Sequence, residues 1–437
     1  MHMKKIFVSV GVVALGATAA QFASAADDNS KVWSVSVSLR GFYDDNFVTS
    51  SSGAEQDSFG VSVSPSLVLK IPLDQTTWSF RYTYGATWYE ERSNLDSSNN
   101  AWDQSHELEG LFSHNFSERN SIQISDSFVV AQEPALLDST GAVTVPFRTE
   151  GNNLRNHAQI TFNGGLTKTL SYVLGYQNTY YDYENNGTGN DLADSTTPSL
   201  SGLLDRVEQE ALANLRWRSA PKTVLLLGYN YRQVDYTSDE AVANVGLFPI
   251  NSFVYADDRN NRSHIIYGGV DQNFNRQMSA QVRAGAQYVD YYNQNNSDTT
   301  PWVNANFLYQ FRKESTLQLG ASYMLSQTDI ISPDPTSGSV TVDSRAFVLY
   351  GTLRHRFMRS LPNLTGNLHV QWQNSEFNGG TADGKSDSYF DAGVNLTYRI
   401  NNHFSTEAGY NFSTLSSDVS GRDYDRNRVY IGVIASY

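Results

Sequence analysis

The sequence predicts an all-β fold: a transmembrane, antiparallel, up-and-down β-barrel of about 18 strands, with short periplasmic turns and longer extracellular loops. Three observations lead to this prediction. Apolar and polar residues alternate with a period of two along most of the chain. Long and short polar connections follow one another in turn. The last segment, Val429–Tyr437, has one apolar face and ends on an aromatic residue.

The N-terminal segment has the three parts of a secretory signal peptide. Lys4 and Lys5 form a basic start, an apolar run extends from Ile6 to Ala20, and Ala23-Ser24-Ala25 follows the small-x-small pattern of a cleavage site. We therefore expect residues 1–25 to be removed and residues 26–437 to form a single barrel domain.

The composition excludes several classes of protein. The 437 residues include no cysteine, which excludes a disulfide framework and a cysteine metal cluster. Without Lys4 and Lys5, 29 basic residues face 45 acidic ones, and this net charge of −16 argues against a nucleic-acid partner. Only 17% of residues are charged, against about 25% in typical soluble domains. No apolar stretch after residue 25 is long enough for a transmembrane helix.

The period of two is clearest in the second and third predicted strands. Successive side chains of an extended chain point to opposite faces, so each segment has one apolar face. The apolar set of the second strand is Phe59, Val61, Val63, Pro65, Leu67, Leu69 and Ile71. That of the third strand is Trp78, Phe80, Tyr82, Tyr84, Ala86 and Trp88. Similar segments continue to the C-terminus, and a barrel explains so long a series better than a soluble sandwich does.

The connections between these segments sort by length. Short turns are expected near 72–75, 115–120, 163–167, 219–222, 273–276, 312–315, 358–363 and 401–403. Longer polar loops are expected near 49–57, 92–101, 132–152, 184–199, 237–262, 292–300, 327–341, 376–385 and 413–425. Eight short turns and nine long loops require an even number of strands, 18, and place both termini at the periplasmic side.

The last strand carries its own signal. Its apolar face consists of Val429, Ile431, Val433, Ala435 and Tyr437. This pattern resembles the C-terminal strand of bacterial outer-membrane barrels, which the barrel assembly machinery reads. We expect this face to meet lipid and the strand to close the barrel against the segment 35–43.

Tryptophans are predicted to form aromatic girdles at the two membrane interfaces. Trp78 and Trp88 lie on one face of a strand, ten residues apart. That spacing is about 33 Å along the strand, or about 25 Å vertically at a tilt near 40°. Such a height matches the apolar band of outer-membrane barrels. The predicted girdle residues are Trp33, Trp78, Trp88, Trp102, Trp217, Trp302 and Trp372.

One residue fits the pattern badly. Asp126 falls on the outward face of Ile122, Ile124, Phe128 and Val130, where a carboxylate would be costly in lipid. We expect a β-bulge to reset the alternation there.

The end of the first strand points to a family. The run Leu39–Phe47 reads L-R-G-F-Y-D-D-N-F, and its G-x-Y-D-D-N pattern after a signal peptide resembles the putative β-barrel porin 2 family of bacterial outer-membrane proteins. In layout the resemblance covers residues 26–437. It implies a location in the outer membrane, with lipid and lipopolysaccharide as neighbours, and a connection to exopolysaccharide production or export.

The strand periodicity places charged residues of both signs on the interior face. The candidate pore-lining residues are Arg40, Arg81, Glu208, Arg216, Arg232, Arg283, Asp391, Arg399, Glu407 and Arg428. Such a lining selects solutes by size and charge. The alternative is that these charges pair across the interior and fill it. Inward tyrosines such as Tyr389 could also stack on sugar rings.

The expected function is a porin-like channel for passive diffusion of small hydrophilic solutes, including saccharides. The alternatives are an export barrel for polysaccharide and a non-conducting structural or adhesion barrel. The sequence contains neither G-x-S-x-G nor H-E-x-x-H, so we expect no enzyme and no cofactor. Acidic outer loops could bridge to lipopolysaccharide phosphates through divalent cations, but solvated charge is the simpler interpretation, and no metal site is predicted.

Overall fold

A computed structural model describes residues 32–92, 101–137, 141–149, 151–184, 198–245, 253–294, 296–357 and 361–437. The predicted signal peptide, residues 1–25, lies outside this part of the chain, and its removal stays a prediction. Among the described residues, no helix has the length and apolar character needed to cross a membrane.

The described residues form twenty strands and a few short helical turns. The first nine strands are β1 (Trp33–Asp44), β2 (Ser58–Pro72), β3 (Thr76–Tyr89), β4 (Trp102–Asn115), β5 (Ser121–Ala131), β6 (Asn153–Gly165), β7 (Leu170–Asp182), β8 (Arg206–Ala220) and β9 (Thr223–Tyr236). A small hairpin follows, formed by β10 (Ala241–Asn244) and β11 (Phe253–Tyr255). The remaining strands are β12 (Asn261–Asn273), β13 (Met278–Tyr291), β14 (Asn296–Arg312), β15 (Ser315–Ser326), β16 (Asp343–Arg356), β17 (Leu364–Asn378), β18 (Ser386–Arg399), β19 (Phe404–Ser417) and β20 (Tyr424–Ser436).

Eighteen of these strands form one closed antiparallel barrel. Each barrel strand pairs with the next along the chain, β9 pairs with β12 across the hairpin, and β20 pairs with β1. The predicted architecture and strand number are therefore confirmed. Closure leaves no free sheet edge, and it satisfies the backbone hydrogen bonds of a strand that lies in lipid.

The two faces of the wall follow the period of two. In β20 the side chains of Val429, Ile431 and Val433 are 52%, 67% and 52% exposed, and Ala435 and Tyr437 are exposed as well. The intervening Gly432 is buried, and Arg428 turns to the interior, where its Nε bonds to Asp44 at 2.8 Å. The apolar side chains thus form the outer surface, as one expects of a wall that contacts lipid.

Strand β20 closes the barrel against β1. It pairs with β1 from Ser36↔Ser436 to Asp44↔Arg428. Beyond this ladder, Val35 and Tyr437 exchange two backbone hydrogen bonds of 2.9 and 3.1 Å. The Tyr437 ring lies 5.6 Å from the ring of Trp33. The terminal residue therefore extends the seam by one more bonded pair.

Deleting Tyr437 is expected to reduce the amount of folded barrel in the outer membrane. The deletion removes both hydrogen bonds to Val35, the contact with Trp33 and the aromatic end of the predicted assembly signal. Heat-modifiable migration of outer-membrane fractions measures the folded protein, and Tyr437→Phe, which keeps the ring and both backbone hydrogen bonds, serves as a control. Normal outer-membrane levels of the shortened protein would contradict this expectation.

The connections alternate in length less strictly than predicted. Residues 296–300, placed in a long loop by the sequence, belong to β14, and only 292–295 connect β13 to β14. The predicted short turn 358–363 is part of a connection, 357–363, that is as long as the loop 379–385. Strands can extend beyond the membrane where their backbones stay paired, and this extension shortens the apparent loops. We call the end of the barrel that carries 73–75 the turn end and the opposite end the loop end.

The expected bulge at Asp126 is wrong. The pairing of β5 with β4 and β6 runs without a register shift through Asp126, whose cross-strand partners are Gly110 and Ala158. Asn156, on the same outward face of β6, donates from Nδ2 to Asp126 Oδ1 at 3.0 Å. A cross-strand hydrogen bond and two small neighbours therefore accommodate the carboxylate, and the strand stays regular.

The tryptophans divide into two groups. On the outer surface, Trp33, Trp78 and Trp217 are exposed at the turn end, and Trp88 pairs with Trp102 at the loop end. Trp372 also faces outward, but it lies near the middle of β17, where its Nε1 donates to Ser388.

The girdle assignment is wrong for Trp302. Its cross-strand partner Gly285 lies on the interior face, and its ring packs against the buried side chains Leu226, Ile265 and Tyr267. The alternation within β14 gives this orientation, because Trp302 is out of phase with the outward Val303 and Phe307.

Histidines take part in the outer aromatic surface, which the sequence analysis did not predict. Near the loop end, the Nδ1 atoms of His106 and His264 lie 2.9 and 2.8 Å from the hydroxyls of Tyr82 and Tyr229. At the turn end, His114 lies 4.7 Å from the ring of Phe116. Imidazole, like the indole of tryptophan, combines a ring body with a polar nitrogen, and such side chains suit a membrane interface.

Candidate functional site

The interior face of the wall brings opposite charges together. Arg40 Nε lies 2.7 Å from Glu407 Oε1, and Arg81 lies 2.6 Å from Glu109. His369 and Asp391 form a further polar contact, with Nε2 2.9 Å from Oδ1. These contacts are local, because each joins two strands that are first or second neighbours in the barrel. The interior is therefore polar and largely charge-compensated.

Two further groups join predicted residues into triads. The Glu208 carboxylate forms ion pairs with Arg206 and Arg232, each with an N···O distance of 2.7 Å. The Asp271 carboxylate forms ion pairs with Arg216 and Arg283, with N···O distances of 2.7 and 3.1 Å. Asp271 was not among the residues predicted from the sequence.

Arg399 stands apart from these groups. It is exposed at the turn end of β18, where its backbone N–H bonds to Asn363. All ten predicted interior residues thus lie on the interior face. Arg428 lies in the loop half, where connections that fold inward cover it.

The loop half of the interior is filled by connections that fold inward. Nineteen buried apolar residues form one cluster there, and they come from several strand ends and from four connections. The connections are 132–152, 183–205, 237–260 and 327–342. Their buried members are Leu137, Val145, Tyr183, Leu203, Leu204, Val242, Ala243, Val254, Ala256, Val340 and Val342. Burial of this apolar surface favours the infolded arrangement of the described parts of these connections.

The connection 132–152 crosses the barrel. It starts at β5 and reaches β17, which lies on the roughly opposite side of the barrel. There the Gln373 side chain bonds to both backbone groups of Val143, each at 2.8 Å. Tyr424, on β20, donates its hydroxyl to the carbonyl of Pro146 at 2.5 Å. These bonds hold the middle of the connection against the far wall.

A charged cluster fastens the start of the same connection to the barrel seam. Glu133 accepts two hydrogen bonds from Arg426, at 2.9 and 3.0 Å. Arg426 and Arg428 also bond to Asp44, whose side chain is fully buried. Arg148, near the end of the connection, lies 3.7 Å from Glu133 and contacts Asp103. We call these residues, Asp44, Asp103, Glu133, Arg148, Arg426 and Arg428, the latch.

The latch keeps Glu133 ionised. Burial opposes its negative charge, but the neighbouring Arg426 and the hydrogen bonds from it outweigh burial and hold the pKa of Glu133 well below its usual value. Arg428 and Arg148 act in the same direction. Glu133 is therefore ionised at neutral pH.

The run D-D-N after the first strand has a structural explanation. Asp44 belongs to the latch, and Asp45 accepts hydrogen bonds from the backbone and side chain of Asn427, at 2.6 and 2.7 Å. Asn46 donates to the carbonyls of Ser50 and Asp425, at 2.8 and 3.0 Å. All three side chains tie the loop end of β1 to β20 or to the adjoining loop.

A second ionic attachment holds the connection 327–342. Arg422 bonds to Asp329 of this connection at 3.1 Å and to Asp387 of β18 at 2.9 Å. The hydroxyl of Tyr236 donates to Gln327 at 2.7 Å. Two connections are therefore fastened inside the loop half by separate polar contacts.

The turn half of the interior differs from the loop half. Interior side chains there keep contact with solvent: the Arg40 side chain is 35% exposed, Leu111 is 37% exposed, and Arg399 is exposed. The described residues thus form a cup that is open toward the turn end and narrowed toward the loop end.

The suggested stacking role of Tyr389 is wrong. Tyr389 is 8% exposed and packs in a cluster with Leu415 and Tyr424, beneath Phe147 of the crossing connection. A solute in the interior has no access to its ring.

Sequence reasoning missed the residues that organise the loop half. Glu133 and Arg148 lie in a polar segment with no periodic signal, and Gln373 and Arg426 are ordinary interior residues by pattern. The one available signal was the conjunction of Arg and acidic residues at the two ends of the chain, Asp44 and Arg426-Asn427-Arg428. Among the described residues, no group of three or more histidine or acidic side chains is arranged to hold a metal ion.

A closed 18-strand barrel with an apolar outer face and a charged interior defines the class of outer-membrane β-barrel proteins. The family described as putative beta-barrel porin 2 matches residues 335–437. The resemblance predicted from the sequence is therefore confirmed for that segment, which contains β16–β20; the run Leu39–Phe47 lies outside it. A search of curated proteins returned no significant match.

Several solved outer-membrane proteins are similar to this chain in structure. Acinetobacter baumannii OccAB3 has 10% identity and a TM-score of 0.43, over 93% of this chain and 99% of its own. Pseudomonas aeruginosa OccK2 (OpdF), in complex with glucuronate, has 11% identity and a TM-score of 0.43, over 92% and 98%. Pseudomonas aeruginosa OpdK with vanillate has 12% identity and a TM-score of 0.44, over 93% and 99%.

Proposed function

We propose that this protein is a porin-like channel through which small hydrophilic solutes diffuse passively across the outer membrane. The observation that carries the proposal is the closed barrel of 18 strands with a charged interior, because barrels of 16–18 strands are wide enough to leave an aqueous channel. The paired arginines and carboxylates of the wall set the charge preference of that path.

The infolded connections add control to this proposal. The crossing connection 132–152 and the apolar cluster narrow the loop half, while the turn half keeps solvent-exposed polar side chains. We propose that solute passes when the crossing connection detaches from β17 and β20. The contacts of the latch then determine how often the connection detaches.

A non-conducting structural barrel is the second candidate. The observation that favours it is the size of the buried apolar cluster in the loop half, which resembles a packed core more than a channel wall. The family resemblance adds saccharides, including an exported polysaccharide, to the solutes that need testing.

Ionic conductance in planar bilayers separates the two candidates. For refolded protein we expect stepwise currents with long closed intervals, since the crossing connection is fastened at both its start and its middle. A flat baseline at every voltage, both for this protein and for a variant without the charged contacts of the latch, would refute the channel. Heat-modifiable migration of the same sample shows that the barrel is folded in either case.

The cellular partners follow from the same proposal. We propose that residues 1–25 direct export and are cleaved, that the barrel assembly machinery inserts the domain, and that outer-membrane lipid and lipopolysaccharide surround it. The exposed apolar face of β20 and the aromatic outer surface support the lipid contact. The acidic outer positions Asp96, Asp191 and Asp194 lie outside the described residues.

A further inference from the structure

Four short connections at the turn end share one local design. The first residue after the strand is apolar and continues the outward face of that strand. The next residue has a side-chain oxygen that accepts hydrogen bonds of 2.7–3.2 Å from two backbone N–H groups of the same connection or the start of the next strand. These pairs of residues are Phe116-Ser117, Leu166-Thr167, Phe274-Asn275 and Ile400-Asn401. The bonds close each turn locally and so fix the position of its tip.

The apolar first residues of these turns extend the outer surface of the barrel. All four are between 49% and 57% exposed. The ring of Phe116 lies 4.7 Å from that of His114 and 6.4 Å from that of Phe162, both of which belong to the outer face. Leu73, the first residue after β2, is 61% exposed at the equivalent position. The apolar surface therefore continues from the strands into the turns.

Basic side chains surround the same turns. Nine exposed lysines and arginines lie in the described turn-end connections or within three residues of them: Lys70, Arg119, Lys168, Arg218, Lys222, Arg276, Arg312, Lys313 and Arg399. The exposed acidic side chains of these segments are Asp74 and Glu118. Of the 29 basic and 45 acidic residues in 26–437, this leaves 20 basic and 43 acidic residues for the rest. The sign of the charge at the turn end is thus opposite to that of the remaining chain.

Four of these bases lie beside the outward apolar residues. Arg119, Lys168 and Arg276 each follow the apolar residue of their own turn by two or three positions. Lys222 reaches the neighbouring turn, where its Nζ donates to the carbonyl of Phe274 at 2.9 Å. Closure of the turns uses the polar second residue, so a neutral side chain at the third or fourth position would serve the fold equally well. The fold therefore does not explain the positive charge.

We infer that the turn end binds the phosphate groups of anionic phospholipids in the leaflet that surrounds it. A basic side chain next to an apolar one suits the boundary between phosphate groups and acyl chains. Arg119, Lys168, Lys222 and Arg276 donate to the phosphate oxygens, and the apolar first residues lie among the acyl chains. Solvated charge alone does not account for nine basic against two acidic side chains in a chain that is otherwise acidic.

Tryptophan fluorescence provides the measurement, because Trp33, Trp78 and Trp217 are exposed on the outer surface at the turn end. Brominated phosphatidylglycerol, which is anionic, and brominated phosphatidylcholine, which is zwitterionic, quench this fluorescence when they lie next to the barrel. In mixed vesicles at low salt we expect phosphatidylglycerol to be preferred about fivefold. The preference should disappear near 1 M salt, where the screening length is about 3 Å. Equal quenching by both lipids at low salt would overturn the inference.

Paired substitutions test the bases themselves. Lys168→Gln combined with Arg276→Gln should lower the preference for phosphatidylglycerol about threefold. The matched control, Arg262→Gln combined with Lys385→Gln, removes the same charge from exposed positions at the loop end and should leave the preference unchanged. Lys168→Arg combined with Arg276→Lys keeps both charges and should retain the preference. An equal loss in the turn-end variant and the loop-end control would assign the effect to net charge and overturn the inference.

Inorganic phosphate distinguishes a lipid headgroup from a free anion. Sodium phosphate that replaces sodium chloride at equal ionic strength should not change the lipid preference. A preference that disappears in phosphate would mean that the bases hold the free anion, and the assignment to phospholipid would be wrong. Heat-modifiable migration shows that each variant is folded. The quenching measurement needs no conductance, so a barrel that carries no current but keeps the preference would refute the channel and support the lipid site.

Discussion

Replacing both Glu133 and Arg148 by alanine is expected to raise the open fraction of the channel at least about tenfold. These two side chains are the charged contacts of the crossing connection: Glu133 bonds twice to Arg426, and Arg148 contacts Asp103. A hydrogen bond to a charged group contributes about 1.5–3 kcal/mol, and about 1.4 kcal/mol corresponds to a tenfold change in population. Single-channel recording of open and closed intervals measures this fraction.

The contacts that remain determine the rest of the outcome. Gln373 still bonds to Val143, and Tyr424 still bonds to Pro146, so we expect frequent opening and not a permanently open channel. The matched control is the exposed ion pair between Arg262 and Asp290, replaced by two alanines, which should leave the open fraction unchanged. An unaltered open fraction in the latch variant would show that the connection is held by apolar packing alone.

The pH dependence of opening follows from Glu133. Its pKa in the closed state lies well below its usual value of about 4.3, so docking favours the ionised carboxylate. Such a group stabilises the closed state fully above its pKa in the open state, and this contribution is lost as the pH falls through the lower pKa of the closed state. We expect the open fraction in single-channel recordings to stay unchanged between pH 7 and about 5 and to rise below that range, and the double variant to lack this acid-induced rise.

Replacing Asp44 by asparagine is expected to destabilise the folded barrel by about 3–5 kcal/mol, because Arg428 loses the carboxylate that its Nε bonds and Arg426 keeps only Glu133. Asp44 is fully buried and bonds to Arg426 at 2.8 Å and to Arg428 at 2.8 Å. It lies at the loop end of β1, where β1 meets β20. Loss of this contact weakens the seam that closes the barrel.

Urea titration of the protein in lipid vesicles, followed by heat-modifiable migration, measures the loss. Asp74→Asn, in the exposed turn after β2, is the matched control and should behave as the unaltered protein. Glu133→Ala should leave the urea midpoint nearly unchanged, since Arg426 keeps Asp44. An Asp44→Asn midpoint equal to that of the control would mean that the seam does not depend on this carboxylate.

The sequence was sufficient for the barrel because its signal is local. A period of two needs only neighbouring residues, and it predicted the outward set Val429, Ile431 and Val433 as well as the interior position of Arg40 and Glu407. It failed where the pairing of strands decides the outcome. Asp126 stays in register because Asn156 on the next strand bonds to it, and Trp302 lies inward because it pairs with Gly285 of the interior face.

The sequence alone determined the number of strands, the closing role of the last strand and the charges of the interior face, because each follows from alternation along the chain. Only the tertiary structure decided what fills the loop half. The contacts that do so join residues far apart in the sequence, such as Glu133 with Arg426 and Val143 with Gln373. No local pattern marks such pairs, since they form only after closure of the barrel brings opposite walls within reach of one connection.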